Sequence, residues 1–171
     1  VMGEDFNWSG EAASRTNIRL PEIQRELLEE LVKLRKPLGL VLINGRPLDL
    51  SWEDEHVDGI MEAWYLGTMA GYAMADVISG NYNPSACLTM SFPRSVGQIP
   101  VYYNHKNTGR PVSAENPKED YRSFYLDSPN TPLYPFGYGL SYTTFEIRNM
   151  RMNTNILRPG GELEVSAVVV N

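Results

Sequence analysis

The run LGLVLIN, Leu38 to Asn44, constrains this chain more than any other stretch. A strand with one wet face alternates polar and apolar residues. An unbroken apolar run fits a strand buried on both faces of a parallel sheet. Parallel neighbours must be joined by crossovers, usually helical. The residues just before the run supply one. Leu20 to Lys36, LPEIQRELLEELVKLRK, places Ile23, Leu27, Leu31 and Leu34 at helical spacing, with Leu28 and Val32 widening the stripe. Pro21 suits a first turn, and Glu22 and Glu26 lie near the start. Lys33, Arg35 and Lys36 near the end complement the helix dipole, and Pro37 is expected to stop the helix.

Downstream, Gly45, Arg46 and Pro47 break the run. Ser51 reads as the N-cap of a short helix with Glu53 and Asp54 in its first turn. Ile60 to Tyr65, IMEAWY, reads as a second strand. Gly67 to Ser79 reads as an amphipathic helix with Ala70, Ala73, Met74 and Val77 on one face, and Gly80 is placed to end it. Helix, strand, short helix, strand, helix with short connections is βαβ logic, so the expected fold class is α/β, a layered sandwich with a mostly parallel sheet. From about Ser91 the texture changes to proline and tyrosine with little periodicity, and residues 92–135 read as a long ordered loop system with brief strands. The segment 134–147 leads toward extended structure. The end, GELEVSAVVVN, alternates at Leu163, Val165, Ala167 and Val169, the signature of a strand in a truncated all-β segment.

Composition excludes several classes. The net charge is −6 and no basic run exceeds two residues, which argues against a nucleic-acid groove. No apolar stretch approaches the ~18–20 residues of a membrane span. One cysteine, Cys87, rules out an internal disulfide framework and a cysteine metal cluster. No metal and no cofactor is expected.

The polar stretch MGEDFNWSGEAASR, residues 2–15, carries two carboxylates seven apart, Glu4 and Glu11, with Trp8 between them. A Gly before Glu11 lets backbone approach a ligand. Trp8 is suited to stack on a sugar face or to desolvate an acid, and equally to pack under the loop. The ordinary readings of other residues are bland. Cys87 reads as a small core residue, His56 as surface, and Met69, Met74 and Met90 as filler. Glu53, Asp54, Glu55 and Asp58 read as a solvated acidic face, and Arg15 as the partner of an internal carboxylate.

Three separated motifs in order carry a resemblance: NGRPLDL; EAWYLGTMAGYAMADVISGNYNPSACLTMSFPRSVGQIPVYYNHKNTGRP; and LYPFGYGLSYTTF. Together they resemble the second domain of glycoside hydrolase family 3, and within it the periplasmic β-glucosidases of Gram-negative bacteria. The resemblance covers residues 1–147. Residues 148–171 resemble the start of the fibronectin type III-like domain that follows in the family. It implies an α/β sandwich whose early strands, and a preceding (β/α)8-type barrel, lie outside this chain, with Val1 and Met2 the end of a strand.

The implied activity is retaining exo-β-glycosidase, with β-glucosidase the first expectation and terminal non-reducing β-D-glucosyl residues as substrate. In the family the barrel supplies the nucleophilic Asp and the second domain lends the acid/base from a loop. Glycine-glutamate, a short variable stretch, then glutamate before Ser-Arg-Thr aligns with Gly3-Glu4 and with Glu11 ahead of Ser14-Arg15-Thr16. That alignment makes Glu11 the acid/base and Glu4 a substrate or loop-holding contact. Trp8 and His105, in YYNHKNTG, are further candidates for substrate binding. The implied partners are an oligosaccharide or β-glucoside substrate and the barrel of the same protein, with no nucleic acid and no membrane. Unpaired sheet edges make a homodimer an expectation. The implied location is periplasmic or secreted. The chain departs from the family pattern at Leu66 and Met69, where Pro and Glu are common. It departs again at Ala86-Cys87-Leu88-Thr89, where Gly-Lys-Leu-Pro is common. Those departures leave open a non-catalytic carbohydrate-binding or scaffold paralogue.

Overall fold

The computed structural model describes residues 1–107, 109–112 and 121–171. Three strands, β1 (Met2–Gly3), β2 (Gly39–Ile43) and β3 (Gly59–Glu62), form one sheet in that order. All pairings are parallel, with Met2 beside Leu42 and Leu40 beside Ile60. The crossovers are α1 (Glu22–Val32) and α2 (Ser51–His56). The βαβ reading of the sequence therefore holds. Leu40, Val41 and Leu42 are buried, which is why the run shows no alternation.

The core gathers Leu20, Leu28, Leu40, Leu42, Leu48, Leu50 and Phe92. α1 meets it with Leu28 at 2% exposure, whereas Ile23, Leu27 and Leu34 stay exposed. The face that docks is thus the one expected only to widen the stripe. The apolar arc of α1 exceeds the width one sheet contact covers, and Leu28 rather than Leu27 points at β2. The helix also closes earlier than the sequence suggests. Arg35 adopts φ 53°, and its N–H donates to the Val32 carbonyl, so the chain turns before Pro37.

Other expectations are corrected locally. Ser51 is the first helical residue rather than the cap. Its N–H donates to Asp49 Oδ1 and its hydroxyl to the Arg94 carbonyl. The acidic face is not uniformly solvated. Glu53 is 1% exposed and lies 3.4 Å from Arg25, whose guanidinium stacks 3.8 Å over Trp52. Burial pushes the Glu53 carboxyl up, against its backbone hydrogen bond and Arg25. Asp54 accepts from the Tyr134 hydroxyl, and Asp58 from the Leu38 N–H. β3 stops at Glu62 because Trp64 has φ 52°, which no strand accommodates.

Beyond β3, a 3-10 turn (Gly67–Met69) leads into α3 (Ala70–Ile78), and Gly80 at φ 77° ends it as expected. Within α3 only Ala70, Met74 and Val77 are even half-buried, and Ala73 is exposed. Cys87 is exposed, not core. Residues 88–92 and 133–138 run side by side through backbone bonds such as Leu88 N–H to the Tyr138 carbonyl and Phe92 N–H to the Tyr134 carbonyl, both 2.8 Å. Gln98, buried, donates to the carbonyls of Pro129 and Thr131 and orders that loop system. An antiparallel pair, β4 (Glu146–Met152) and β5 (Val165–Val170), ends the chain, with a register shift between Arg148 and Arg151. Among the described residues no helix is long and apolar enough to cross a membrane.

Candidate functional site

The loop that leaves β1 lies at the carboxyl ends of the parallel strands, the end where α/β sheets bind ligands. Its stem is fixed by backbone. The Glu4 N–H extends the ladder to the Ile43 carbonyl at 3.0 Å. Gln24 of α1 bonds both sides of Gly3, accepting from its N–H and donating to its carbonyl. Gly3 has to be glycine, since a Cβ there would lie 1.8 Å from the Ile43 carbonyl oxygen.

Glu4 turns inward. Its side chain has no exposure, and Arg46 meets it through two hydrogen bonds, Nε to Oε2 at 2.9 Å and Nη2 to Oε1 at 2.6 Å. Arg15 Nη1 lies 3.9 Å from the same carboxylate, the internal pairing expected for it. Of the two roles expected for Glu4, the geometry supplies loop holding. Asp5 then caps a short 3-10 turn (Phe6–Trp8), accepting from the Asn7 N–H at 2.8 Å. Trp8 is half-buried, with the Arg15 guanidinium 4.0 Å from its ring centroid, so its ring braces the loop from inside.

The tip is a tight turn. Ala13 N–H donates to the Gly10 carbonyl at 3.2 Å, Gly10 has φ 135° and Ala12 φ 56°. Ala12 in the left-handed region puts Glu11 at the apex. The Glu11 side chain is exposed and, among the described residues, has no hydrogen-bond or ion-pair partner. The structure therefore sorts the two carboxylates: Glu4 is consumed internally, and Glu11 is presented outward.

His105 is exposed on a different loop, where its N–H donates to the Tyr102 carbonyl and its ring lies 5.5 Å from that of Tyr102. Its described contacts do not join it to Glu4, Trp8 or Glu11. Part of the YYNHKNTG loop, Thr108, lies outside the described residues. No group of described residues could hold a metal ion.

Sequence reasoning passed over the residues that support this loop. Arg46 figured only as part of a strand break. Its position immediately beyond a parallel strand was the available signal. Asn44 and Glu62 stand at the ends of β2 and β3; Asn44 is buried and Glu62 half-buried. Asn44 donates to the Arg46 carbonyl at 2.7 Å. Glu62 accepts from the Trp64 N–H at 2.9 Å. Burial raises the Glu62 pKa to about 7, opposed by the Trp64 N–H and the Asn44 side chain.

The sequence profile of the glycosyl hydrolase family 3 C-terminal domain matches residues 1–142. A periplasmic β-glucosidase of Salmonella typhimurium is 53% identical over 171 residues, which are all of this chain and 22% of that protein. A β-xylosidase of Formosa agariphila is 43% identical over the same span, again 22% of its length. The crystal structure of a β-glucosidase from Listeria innocua in complex with glucose superposes with a TM-score of 0.84 at 51% identity, covering 88% of this chain and 21% of that one. The chain thus spans about a fifth of the length of the relatives it matches. Sequence profile, relatives and fold agree, and the chain belongs to glycosyl hydrolase family 3, as a C-terminal domain of that family.

Proposed function

We propose that the protein carrying this domain is a retaining exo-β-glycosidase that releases terminal β-D-glucosyl residues in the periplasm, and that this domain supplies its acid/base, Glu11. A retaining glycosidase needs two carboxyl groups about 5–5.5 Å apart, one to attack the anomeric carbon and one to protonate the leaving oxygen and then activate water. A barrel Asp would be the nucleophile. The observation that carries the reading is the contrast within one loop: a carboxylate with no internal partner held at the apex of a braced turn, beside one wholly engaged by Arg46. Trp8 braces that turn, and His105 is assigned to the sugar-binding surface by its family motif alone.

Glucose is favoured by the relatives: the Listeria β-glucosidase has been solved with glucose, with isofagomine and with gluconolactone. The β-xylosidase relative makes xylosides the competing substrate. The departures at Leu66, Met69 and Cys87 are solvent-exposed and lie outside residues 4–17, which speaks against loss of the acid as their consequence.

A general acid matters in proportion to how poorly the leaving group departs without a proton, typically a factor of about 10²–10⁴. In the full-length protein, Glu11→Gln should slow hydrolysis of a β-linked disaccharide by that order. It should leave glycosyl-enzyme formation from a dinitrophenyl glucoside nearly intact. The intermediate should then accumulate, and azide, which attacks without a base, should restore turnover as a glycosyl azide. Kinetics on aryl glucosides of graded leaving-group pKa read this out. A Glu11→Gln enzyme with an unchanged leaving-group slope and no azide response rejects the assignment.

A further inference from the structure

We propose that Arg46 is a positioning residue for the acid/base: one guanidinium closes both ends of the Glu4–Asn17 loop and so sets where Glu11 stands. The inference rests on the reading of Glu11 given above. At the leading end, Nε and Nη2 bond the two Glu4 oxygens. At the trailing end, Nη1 donates to the Arg15 carbonyl at 2.8 Å and Nη2 to the Asn17 carbonyl at 2.8 Å. A guanidinium has five N–H donors in one rigid plane, and these four bonds use most of them on a single loop.

The arrangement is well suited to precision. The Arg46 side chain is 15% exposed and that of Glu4 not at all, so water competes little for the pair. Arg46 itself follows β2 directly, and Asn44 donates to its carbonyl, so the clamp is mounted on the most buried strand of the sheet. Gly45 keeps the passage open, because a Cβ there would lie 2.3 Å from Ser9 Oγ and 2.7 Å from the Tyr65 ring. The Tyr65 hydroxyl lies 3.3 Å from the Glu4 and Asp5 carbonyls and braces the leading end from the other side. Between the clamped ends Glu11 has no hydrogen-bond or ion-pair partner among the described residues, so its position follows from the clamped ends and from the Trp8 ring packed on Arg15. A displacement of about 1 Å in a catalytic group can cost of order 10²-fold in rate.

Lysine cannot replace this fork. An ammonium is a point charge that could keep the Glu4 attraction while leaving the Arg15 and Asn17 carbonyls without their donor. Arg46→Lys and Arg46→Met in the full-length protein therefore grade the clamp. Both should steepen the leaving-group dependence, lowering kcat/KM for unactivated aryl glucosides roughly 10–100-fold, the lower part of the range seen for removing a general acid. Each should change glycosyl-enzyme formation from the dinitrophenyl glucoside less than about threefold, with Met the worse. Hydrogen exchange in the same proteins should quicken at amides 5–16 and not in β2 or β3.

A uniform loss on all substrates, or a wild-type slope with normally protected loop amides, overturns the proposal. If Arg46→Met does not fold, Arg46→Lys carries both measurements. Glu11→Gln run alongside separates the two ideas. Should it show no steepening, the acid assignment fails, while faster exchange at amides 5–16 on replacing Arg46 still tests the clamp.

Discussion

Strands β2 and β5 are alike in composition and opposite in fate. GLVLI and VSAVVV are both rich in branched apolar residues. Yet Leu42 in β2 is 0% exposed and Val169 in β5 is 63% exposed. Among the described residues every buried apolar side chain lies between Ile18 and Pro93. What separates the strands is the number of layers around them. β2 has a strand on each side, and Leu28 of α1 and Trp52 of α2 pack in the core that its Leu40 and Leu42 join, so its side chains leave water. β4 and β5 have only each other, and a two-stranded ribbon cannot cover either of its own faces. The candidate site follows the same division: Arg46 is anchored directly beyond the buried strand, and Glu11, the proposed acid/base, stands in the solvated loop.

The comparison breaks if truncation costs the same in both strands. Leu42→Ala removes side-chain atoms from a fully enclosed site and should destabilise the domain by about 3–5 kcal/mol. Val169→Ala removes atoms already in water and should cost about 0.5 kcal/mol or less. Urea unfolding followed by tryptophan fluorescence measures both. Equal losses would mean that β5 is covered in solution by something it does not contact here.

The parallel sheet was legible because β2 states its environment in every residue, and the helix-strand alternation admits few other topologies. Gly80 announced its helix end by chemistry only glycine supplies. Which arc of α1 would dock was not legible, since Leu27 and Leu28 are equivalent by periodicity and only the sheet position distinguishes them. The motif separated Glu11 from Glu4 by resemblance. Physics could not, because the guanidinium that engages Glu4 lies 42 positions along the chain. Glu53 misled for the same reason. Among Asp54, Glu55 and Asp58 it reads as solvated, and its partner Arg25 comes from another helix.

Glu62 sharpens the comparison on the polar side, because it is a carboxylate drawn into the buried region. Its pKa rises to about 7 in the fold, mainly through burial, from an unfolded value near 4.5. The folded state therefore binds the proton more tightly. Stability should be highest below about pH 4.5 as far as this group is concerned, fall as pH rises through 7, and level off above. The loss follows from the shift at ~1.4 kcal/mol per unit, roughly 3 kcal/mol in all. Glu62→Gln should flatten this slope between pH 5 and 8. Thermal unfolding across that pH range, with and without the substitution, decides it. A wild-type midpoint that does not fall between pH 5 and 8 would show that Glu62 is solvated.

A smaller effect than that of Glu62 falls at the seam between the two regions. Tyr134 belongs to the exposed half by sequence, yet its ring meets Phe92 edge-on at 6.2 Å and its hydroxyl donates to Asp54 Oδ1 at 2.5 Å. Tyr134 ties the 133–138 segment to α2 and, alongside Leu133, to the core. Burial, then the Asp54 carboxylate, pushes its phenol well above the ordinary range, so the donor keeps its proton through mildly alkaline pH. Tyr134→Phe keeps the ring packing and removes only the hydroxyl. Asp54 is exposed and can turn to water, so the expected cost is near that of one ordinary hydrogen bond, about 1 kcal/mol, rather than that of an abandoned buried charge. A loss that small is best read locally. Hydrogen exchange at the Leu88, Phe92 and Gly137 amides should quicken by about fivefold, and β2 should not respond, because local opening of the ladder does not require the sheet to open. If β2 amides quicken by the same factor, the ladder and the sheet open together. The boundary drawn here between a buried and an exposed half would then be a boundary of solvent exposure only, not of cooperativity.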